Sequence, residues 1–529
     1  MLLGLLVLVT ASCAMWAVAE QYRIAGDAPG LAEATDLLYA PFLYLVPQFS
    51  LAKGANLTLP EMIARTTGPL IPVISVFWLL RQRLLVGVAR LLASKRLYGH
   101  TVVFGQCKSA DALALASGRA GETIILIDPS LSEDEERQSM LGAVGIICLS
   151  SPPASLIGAG SVVVWLDSDA NAIATASSLR SSQALNVEEI DLLVRSAALQ
   201  KALLQSPDLM LDNAIRLRPH SPSAAAVRAA LANPNMLDLA ISRQQPRVTL
   251  CLWGMSEALV WAAEIALQQF WSVRLDAPRI LWVGIDTNAP LPDAFLQLTR
   301  HAHGVFGAAA QCPEIVILAA DAAFHSADVT CHLIDAGEAD VTLAQAFSLA
   351  ARLRQEHVSP APAVPILEAG CAIETIFGTD KLAFLPPIIL GAGLTVNTLR
   401  NRSADQKAAE IHVAYDRQFG GGRTVPASGR WEDLPETYVA ANRAAADHLA
   451  IKLWDATTSG LDGTVLVEAL AETEHYRWCA ERLLAGWAPS DQRENSRRLH
   501  PDLRPWNDLS EWARDKDRKQ VQGVIGCTE

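Results

Sequence analysis

Between Glu474 and Trp506 the chain gathers side chains suited to holding an anion and a flat ring: His475, Arg477, Trp478, Arg482, Trp487, His500, Arg504 and Trp506. Guanidinium groups make charge-assisted, forked hydrogen bonds to phosphate oxygens, and aromatic faces stack on bases and cations. The set is therefore a candidate nucleotide site. Packing is the plainer alternative. His475 and Trp478 stand at i and i+3, Arg477, Glu481 and Arg482 suit helix-face pairs, and Trp487 and Trp506 suit core anchors. No catalytic constellation of nucleophile and base is found, and the nine cysteines include no Cys-x-x-Cys metal or redox pair, so no catalytic and no metal residues are assigned.

The elements that must position these residues are repeated. Trp431-Glu432-Asp433-Leu434-Pro435-Glu436, followed by Asn442-Arg443, recurs as Trp506-Asn507-Asp508-Leu509-Ser510-Glu511, followed by Asp517-Arg518. Each copy is preceded by a histidine with an aromatic three residues on, His412 with Tyr415 and His475 with Trp478. Such a period marks a duplicated supersecondary unit. Asp433 and Asp508 are the expected N-caps, with Glu436 and Glu511 three residues later and Pro435 in the first turn. His412 and Tyr415 are expected to pack, at a pseudo-symmetric interface with the second copy.

The second copy carries Glu474-His475-Tyr476-Arg477-Trp478, then Gly486-Trp487, then His500-Pro501-Asp502-Leu503-Arg504-Pro505-Trp506. In order and spacing it resembles the prokaryotic ryanodine-receptor (RyR) domain. The first copy lacks the Gly-Trp and His-Pro elements, so residues 399–529 read as a tandem RyR-type domain with one degenerate member. The resemblance implies a small nucleotide ligand.

Upstream, Thr101-Val102-Val103-Phe104-Gly105, a helix-like stretch from Ala110 and Thr123-Ile124-Ile125-Leu126-Ile127-Asp128 give strand, glycine turn, helix, strand and acid. That is the first half of a dinucleotide-binding unit. Further strand runs over 145–149, 162–166 and 190–194 continue the alternation of a doubly wound parallel sheet. In Gly105-Gln106-Cys107-Lys108-Ser109-Ala110 the first glycine is kept, Ala110 stands at the third place, and Cys107 replaces the glycine nearest the pyrophosphate. A second unit follows: strand 248–254, helix 257–269, strand 280–286, then strands at 315–318 and 330–334 and a helix at 343–353. Only Gly254 of its glycine pattern survives, so it is expected to be structural. Tyr98-Gly99-His100 leading into the first strand, with Asp167-Ser168-Asp169-Ala170-Asn171 after the fourth, resembles the RCK (regulator of potassium conductance, TrkA-N) family. The resemblance implies a cytoplasmic Rossmann domain that takes NAD or another adenine nucleotide as ligand and not as redox cofactor. Gly105, Cys107, Ala110, Asp128 and Asp169 would line its crevice.

The chain has 529 residues, 51% of them apolar and 19% charged, enough for several domains and a membrane segment. A net charge of −13 argues against a nucleic-acid partner. From Leu2 to Ala19 there is no charge, long enough to cross a bilayer; a signal peptide ending near Ala19 and a lipoprotein at Cys13 are weaker readings. A second apolar run, Thr66 to Leu80, is followed by Arg81, Arg83, Arg90, Lys95 and Arg96, which place that end in the cytoplasm. The stretch 37–52, broken by Pro41 and Pro47, suits a re-entrant or an interfacial segment, and no Thr-Val-Gly-Tyr-Gly filter occurs.

The expected fold class is α/β plus α: a membrane hairpin over 1–97, Rossmann-like units over 98–245 and 246–398, and the helical RyR-type pair over 399–529. The expected function is nucleotide-sensing control of an ion-conducting or transport-regulating membrane hairpin. The alternative is a non-conducting, membrane-anchored nucleotide sensor, and an NAD-dependent oxidoreductase ranks last. The expected setting is the bacterial inner membrane with most of the chain cytoplasmic, in a homo-oligomer, most simply a tetramer.

Overall fold

The computed structural model describes residues 2–25, 36–37, 40–42, 45, 59–76, 99–153, 156, 158–181, 185–204, 215–231, 234–284, 291–319, 326–356, 360–368, 387–391, 394–400, 403–419, 431, 434 and 436–525. The chain divides into two compact units, Met1–Lys95 and Arg96–Glu529.

In the first unit, helix α1 (Leu2–Ala25) covers the uncharged run and ends in a Glu20–Arg23 ion pair of 2.7 Å. It packs on α2 (Leu59–Thr67) through small groups. Ala14, Ala40 and Ala64 are buried together, and Thr10 Oγ1 donates to Thr67 Oγ1 at 2.7 Å. The large apolar side chains Leu8, Trp16, Leu59 and Met62 face outward. The apolar run from Thr66 is not one helix. α2 stops at Thr67, and a turn at Gly68 and Pro69 precedes a new helical stretch from Leu70. Pro69 and Pro72 have no N–H to offer a ladder through this point. Residues 77–80, most of the stretch 37–52 and the basic stretch 81–96 lie outside the described residues. Among the described residues no helix is long and apolar enough to cross a membrane.

The second unit holds two parallel sheets. The first comprises β1 (His100–Gly105), β2 (Ile124–Ile127), β3 (Ile147–Leu149), β4 (Ala159–Trp165), β5 (Glu189–Leu193) and β6 (Arg216–His220), in the order β3-β2-β1-β4-β5-β6. Between and after them run α3 (Lys108–Arg119), α4 (Glu135–Ala143), α5 (Asp169–Arg180), α6 (Ala197–Leu204), α7 (Pro222–Leu231) and α8 (Asn235–Ser242). The second comprises β7 (Arg247–Trp253), β8 (Asp276–Val283), β9 (Glu314–Leu318), β10 (Cys331–Ile334), β11 (Ala363–Glu368) and β12 (Ile388–Leu390), in the order β12-β11-β10-β7-β8-β9. Counted from its own first strand, each sheet runs three-two-one-four-five-six, the doubly wound dinucleotide order. Helices α9 (Glu257–Gln269), α10 (Asp293–Phe306) and α11 (Ala339–Glu356) belong to the second sheet.

The central strands are legible as unbroken apolar runs because helices cover both faces of a parallel sheet; β1 and β2 are buried at every position. Strands β6 and β11 carry no such signal. β6 reads Arg-Leu-Arg-Pro-His at an edge, where proline and charge are tolerated, and Pro365 interrupts β11.

After β12, α12 (Val396–Arg400) returns to the first sheet's α3. Val396 N–H donates to Ser117 Oγ at 2.9 Å, and Asn397 N–H to Glu122 Oε1 at 3.0 Å. Then come α13 (Ser403–Phe419), α14 (Glu436–Asp447), α15 (Leu449–Thr458), α16 (Gly463–Leu484) and α17 (Glu511–Ile525). Helices α15, α16 and α17 share one core with the second sheet. Trp271 stacks on Phe306 at 5.4 Å and on Tyr476 at 6.2 Å, and Asp455 accepts from Ser272 Oγ at 2.6 Å and Val273 N–H at 3.2 Å. The cap of α17 is Ser510, whose Oγ accepts Ala513 N–H at 3.2 Å. Asp508 is not the cap, because it falls inside a 3₁₀ turn, Trp506–Asp508, that delays the helix start. Asp433 and Pro435 lie outside the described residues.

Candidate functional site

At the mouth of the first sheet, Gly105 ends β1 and a Cβ there would stand 2.5 Å from that of Ala110, so this pair sets how closely helix meets strand. Cys107 precedes α3 with its thiol buried and 3.7 Å from the Trp165 carbonyl oxygen; burial pushes its pKa up. Asp128 is wholly buried. One carboxylate oxygen accepts Ser130 N–H at 2.9 Å and Ser130 Oγ–H at 2.8 Å, and the other lies 2.6 Å from Arg137 Nη1. Arg137 also forks onto Asp111 with two contacts of 2.7 Å. Asp169 accepts the N–H groups of Arg195 and Ser196, each at 2.9 Å. Both carboxylates are thus engaged by the chain's own donors.

The C-terminal helices enclose a cavity of about 670 Å³. Six of the eight residues named from sequence line it: His475, Arg477, Trp478, Arg482, Trp487 and His500. Arg504 and Trp506 do not. The Arg504 carbonyl oxygen accepts from His475 Nε2 at 2.8 Å, while Trp506 is buried with its ring 5.7 Å from that of His475. These two hold His475 in place.

The aromatic wall is set by local backbone chemistry. α16 ends in a Schellman arrangement: Gly486, at φ +84°, donates to Leu483 O at 3.0 Å and Trp487 N–H reaches Arg482 O at 2.9 Å. This turns Trp487 back against His500, 6.0 Å away, with Trp478 5.0 Å from His500 on the other side. There a two-residue strand, β13 (Ala488–Pro489), pairs with β14 (Leu499–His500). Arg482 lies over both tryptophan rings, at 6.0 and 5.3 Å.

Beneath this wall lies a buried charge cluster. Glu474 receives Arg477 through Nε and Nη2 at 3.0 and 3.1 Å, Lys452 Nζ at 2.8 Å and Gln520 Nε2 at 3.2 Å. Burial alone would raise the Glu474 pKa, but Arg477, Lys452 and His448 together hold it well below the ordinary carboxylate range. Burial lowers the Lys452 pKa and pushes that of Asp517 well up, the latter helped by Glu474. Burial also drives His475 down to about 4 and His500 to about 3, so both rings are neutral at pH 7. Arg477 is 1% exposed, and its Nη1 finds no hydrogen-bond partner among the described residues.

The other half of the cavity belongs to the first repeat: His412 and Tyr415 on α13, Tyr438 and Asn442 on α14. Sequence reading assigned His412 and Tyr415 to packing and gave no role to Tyr438, Lys452, Arg493 or Lys516, which also line it. The available signal was the repeat itself. His412 and His475, Tyr415 and Trp478, and Asn442 and Asp517 occupy matching positions, and all six line the cavity. The frame is duplicated as well. Arg443 forks onto Asp405, seven residues before His412, with two contacts of 2.7 Å. Arg518 forks onto Glu468, seven before His475, at 2.6 and 3.0 Å. His412 meets Trp431 at 6.2 Å and 50°, as His475 meets Trp506 at 5.7 Å and 50°.

Two complete doubly wound sheets joined to a duplicated helical module define a tandem Rossmann protein with a cavity between its C-terminal repeats. Residues 461–528 match the RyR domain family. Among solved structures the chain is similar to GsuK bound to ADP, with a TM-score of 0.35 and 13% identity over 76% of this chain and 97% of that one. It is also similar to the GsuK channel bound to NAD, at a TM-score of 0.35 and 10% identity over 76% and 83%. No curated protein matches the chain.

Proposed function

We propose that this protein is a nucleotide-responsive, non-catalytic effector at the inner face of a bacterial membrane, and that the C-terminal cavity is its ligand site. The observation that carries this reading is Arg477: a guanidinium buried in an aromatic-walled cavity with one nitrogen unpartnered among the described residues. A buried donor without a partner costs about 1–3 kcal/mol, and more for a charged group, so an anionic oxygen is the natural occupant. The cavity lining holds seven lysines and arginines against four carboxylates, within a chain of net charge −13. Phosphate against the cations and a base against the rings is the ligand chemistry this combination favours. Binding would act by shifting a population of conformations, without chemistry. The first Rossmann crevice, at Gly105, Cys107, Ala110, Asp128 and Asp169, is a secondary nucleotide site in this proposal. It would require Asp128 to leave Arg137.

Membrane attachment is supported by the first unit's composition and packing. Alanines and a threonine pair lie inside while leucine, tryptophan and methionine face outward, the arrangement favoured where lipid surrounds the helices. Assembly as a homo-tetramer would bring the hairpins of several chains together around one axis. The break at Gly68 and Pro69 and the missing filter motif favour a second reading, a membrane-anchored sensor that conducts nothing.

The deciding experiment is calorimetric titration of the full chain with ADP, ATP and NAD, followed by cation flux from liposomes holding the protein. Binding with nucleotide-dependent flux supports a gated conductor. Binding without flux selects the anchored sensor. No binding of any of the three sinks the nucleotide reading.

A further inference from the structure

The duplicated frame has diverged in one direction. Ala414 of the first repeat corresponds in sequence to Arg477 of the second, Ala441 to Lys516, and Asn442 to Asp517, and all six line the cavity. The second repeat therefore supplies Arg477, which is buried, and Lys516, which is half-buried. The lining cation on the first repeat's helices, Lys407, is exposed. In exchange the first repeat offers Tyr415 and Asn442, neutral groups able to lie against a ring and read its edge.

Asn442 has a defined polarity. Its Nδ2 donates to the Tyr438 carbonyl oxygen at 2.8 Å, and because a carbonyl only accepts, this contact fixes which way the amide points. Oδ1 and the second Nδ2 hydrogen remain, an acceptor beside a donor. That pair matches the N6-amino and N7 positions of adenine, the edge that asparagine reads bidentately elsewhere. Hypoxanthine presents two acceptors along the same edge and does not match.

Building on the reading of this cavity as a nucleotide site, we propose that the repeats divide the ligand between them. The second repeat holds the phosphates through Arg477 Nη1 and Lys516, and the first selects an adenine base through Tyr415 and Asn442. The repeat that lacks the Gly-Trp and His-Pro elements is then the specificity half of the site.

The test is equilibrium binding of adenosine diphosphate, inosine diphosphate and adenosine to the full chain, read by tryptophan fluorescence and by calorimetry. The wild-type protein is expected to prefer adenosine diphosphate over inosine diphosphate by about tenfold or more, as one bidentate pair provides. Asn442→Ala should remove most of that preference while the diphosphate still binds more tightly than adenosine. Lys516→Ala should do the reverse, narrowing the gap between diphosphate and nucleoside and leaving the base preference intact. Equal binding of the two diphosphates by the wild-type protein overturns the division, as does a base preference that survives in Asn442→Ala. In both cases the nucleotide reading itself stands, whereas failure of all three ligands to bind ends both. Unchanged circular dichroism and melting of each variant separate loss of contact from loss of fold.

Discussion

Glu474 is the counter-charge for Arg477 and Lys452, and all three are at most 2% exposed. Removing one partner from a buried ion cluster leaves the others uncompensated, at a cost of about 3–5 kcal/mol. Glu474→Gln is expected to destabilise the C-terminal module by that amount, read as a lower urea midpoint of its tryptophan fluorescence; a shift below about 1 kcal/mol would contradict the assignment. The histidines give a pH dependence. The folded pKa of His475 is about 4 against an ordinary 6.5, because burial disfavours the imidazolium. Between those values the unfolded chain binds the extra proton, so stability is complete above about pH 6.5 and falls as pH drops toward 4. The limit for this one ring is about 3 kcal/mol. His500 acts in the same direction, with a folded pKa of about 3. Urea titrations from pH 7 to pH 4 should show this slope, and His475→Gln should flatten it.

The two repeats allow like-for-like comparison between elements. Arg443–Asp405 has side chains 29% and 10% exposed, Arg518–Glu468 21% and 44%. The less exposed carboxylate is screened less by water. Asp405→Asn should therefore cost about 1–3 kcal/mol, and Glu468→Gln less than about 1 kcal/mol. Equal losses in thermal melts would show that the bridges are not graded by burial. At helix ends, Ser510→Ala should cost about 1 kcal/mol through the lost cap. Gly486→Ala should cost about 1–2 kcal/mol, because an L side chain is strained at φ +84°. It should also change the fluorescence of Trp487, which that turn aims.

Across the whole second unit, contacts run from the cavity to the first sheet. Lys201 on α6 meets the buried Glu264 on α9 at 2.5 Å, and α12, just before the cavity helix α13, is anchored on Ser117 and Glu122. A ligand between α13 and α17 that tightens this frame should slow amide hydrogen exchange there and also in residues 394–400. Protection confined to α13–α17 would show that the cavity does not communicate with the first sheet. Sequence alone determined the strands β1, β2, β4 and β7, because a parallel sheet covered on both faces needs short, unbroken apolar runs bounded by turn residues. It also determined the duplication, and the second copy's own motifs named six lining residues, although Arg477 has Ala414 at its matching position and Trp487 and His500 lie in elements the first copy lacks. Tertiary structure decided the rest. Polar edges and prolines hid β6 and β11, and Asp128 and Asp169 proved to be held by Arg137 and by backbone N–H groups far along the chain. The candidate ligand site took shape only when two repeats, separated by the α15 helix, faced one another. A cavity arises from the packing of distant surfaces, and spacing within either repeat does not contain it.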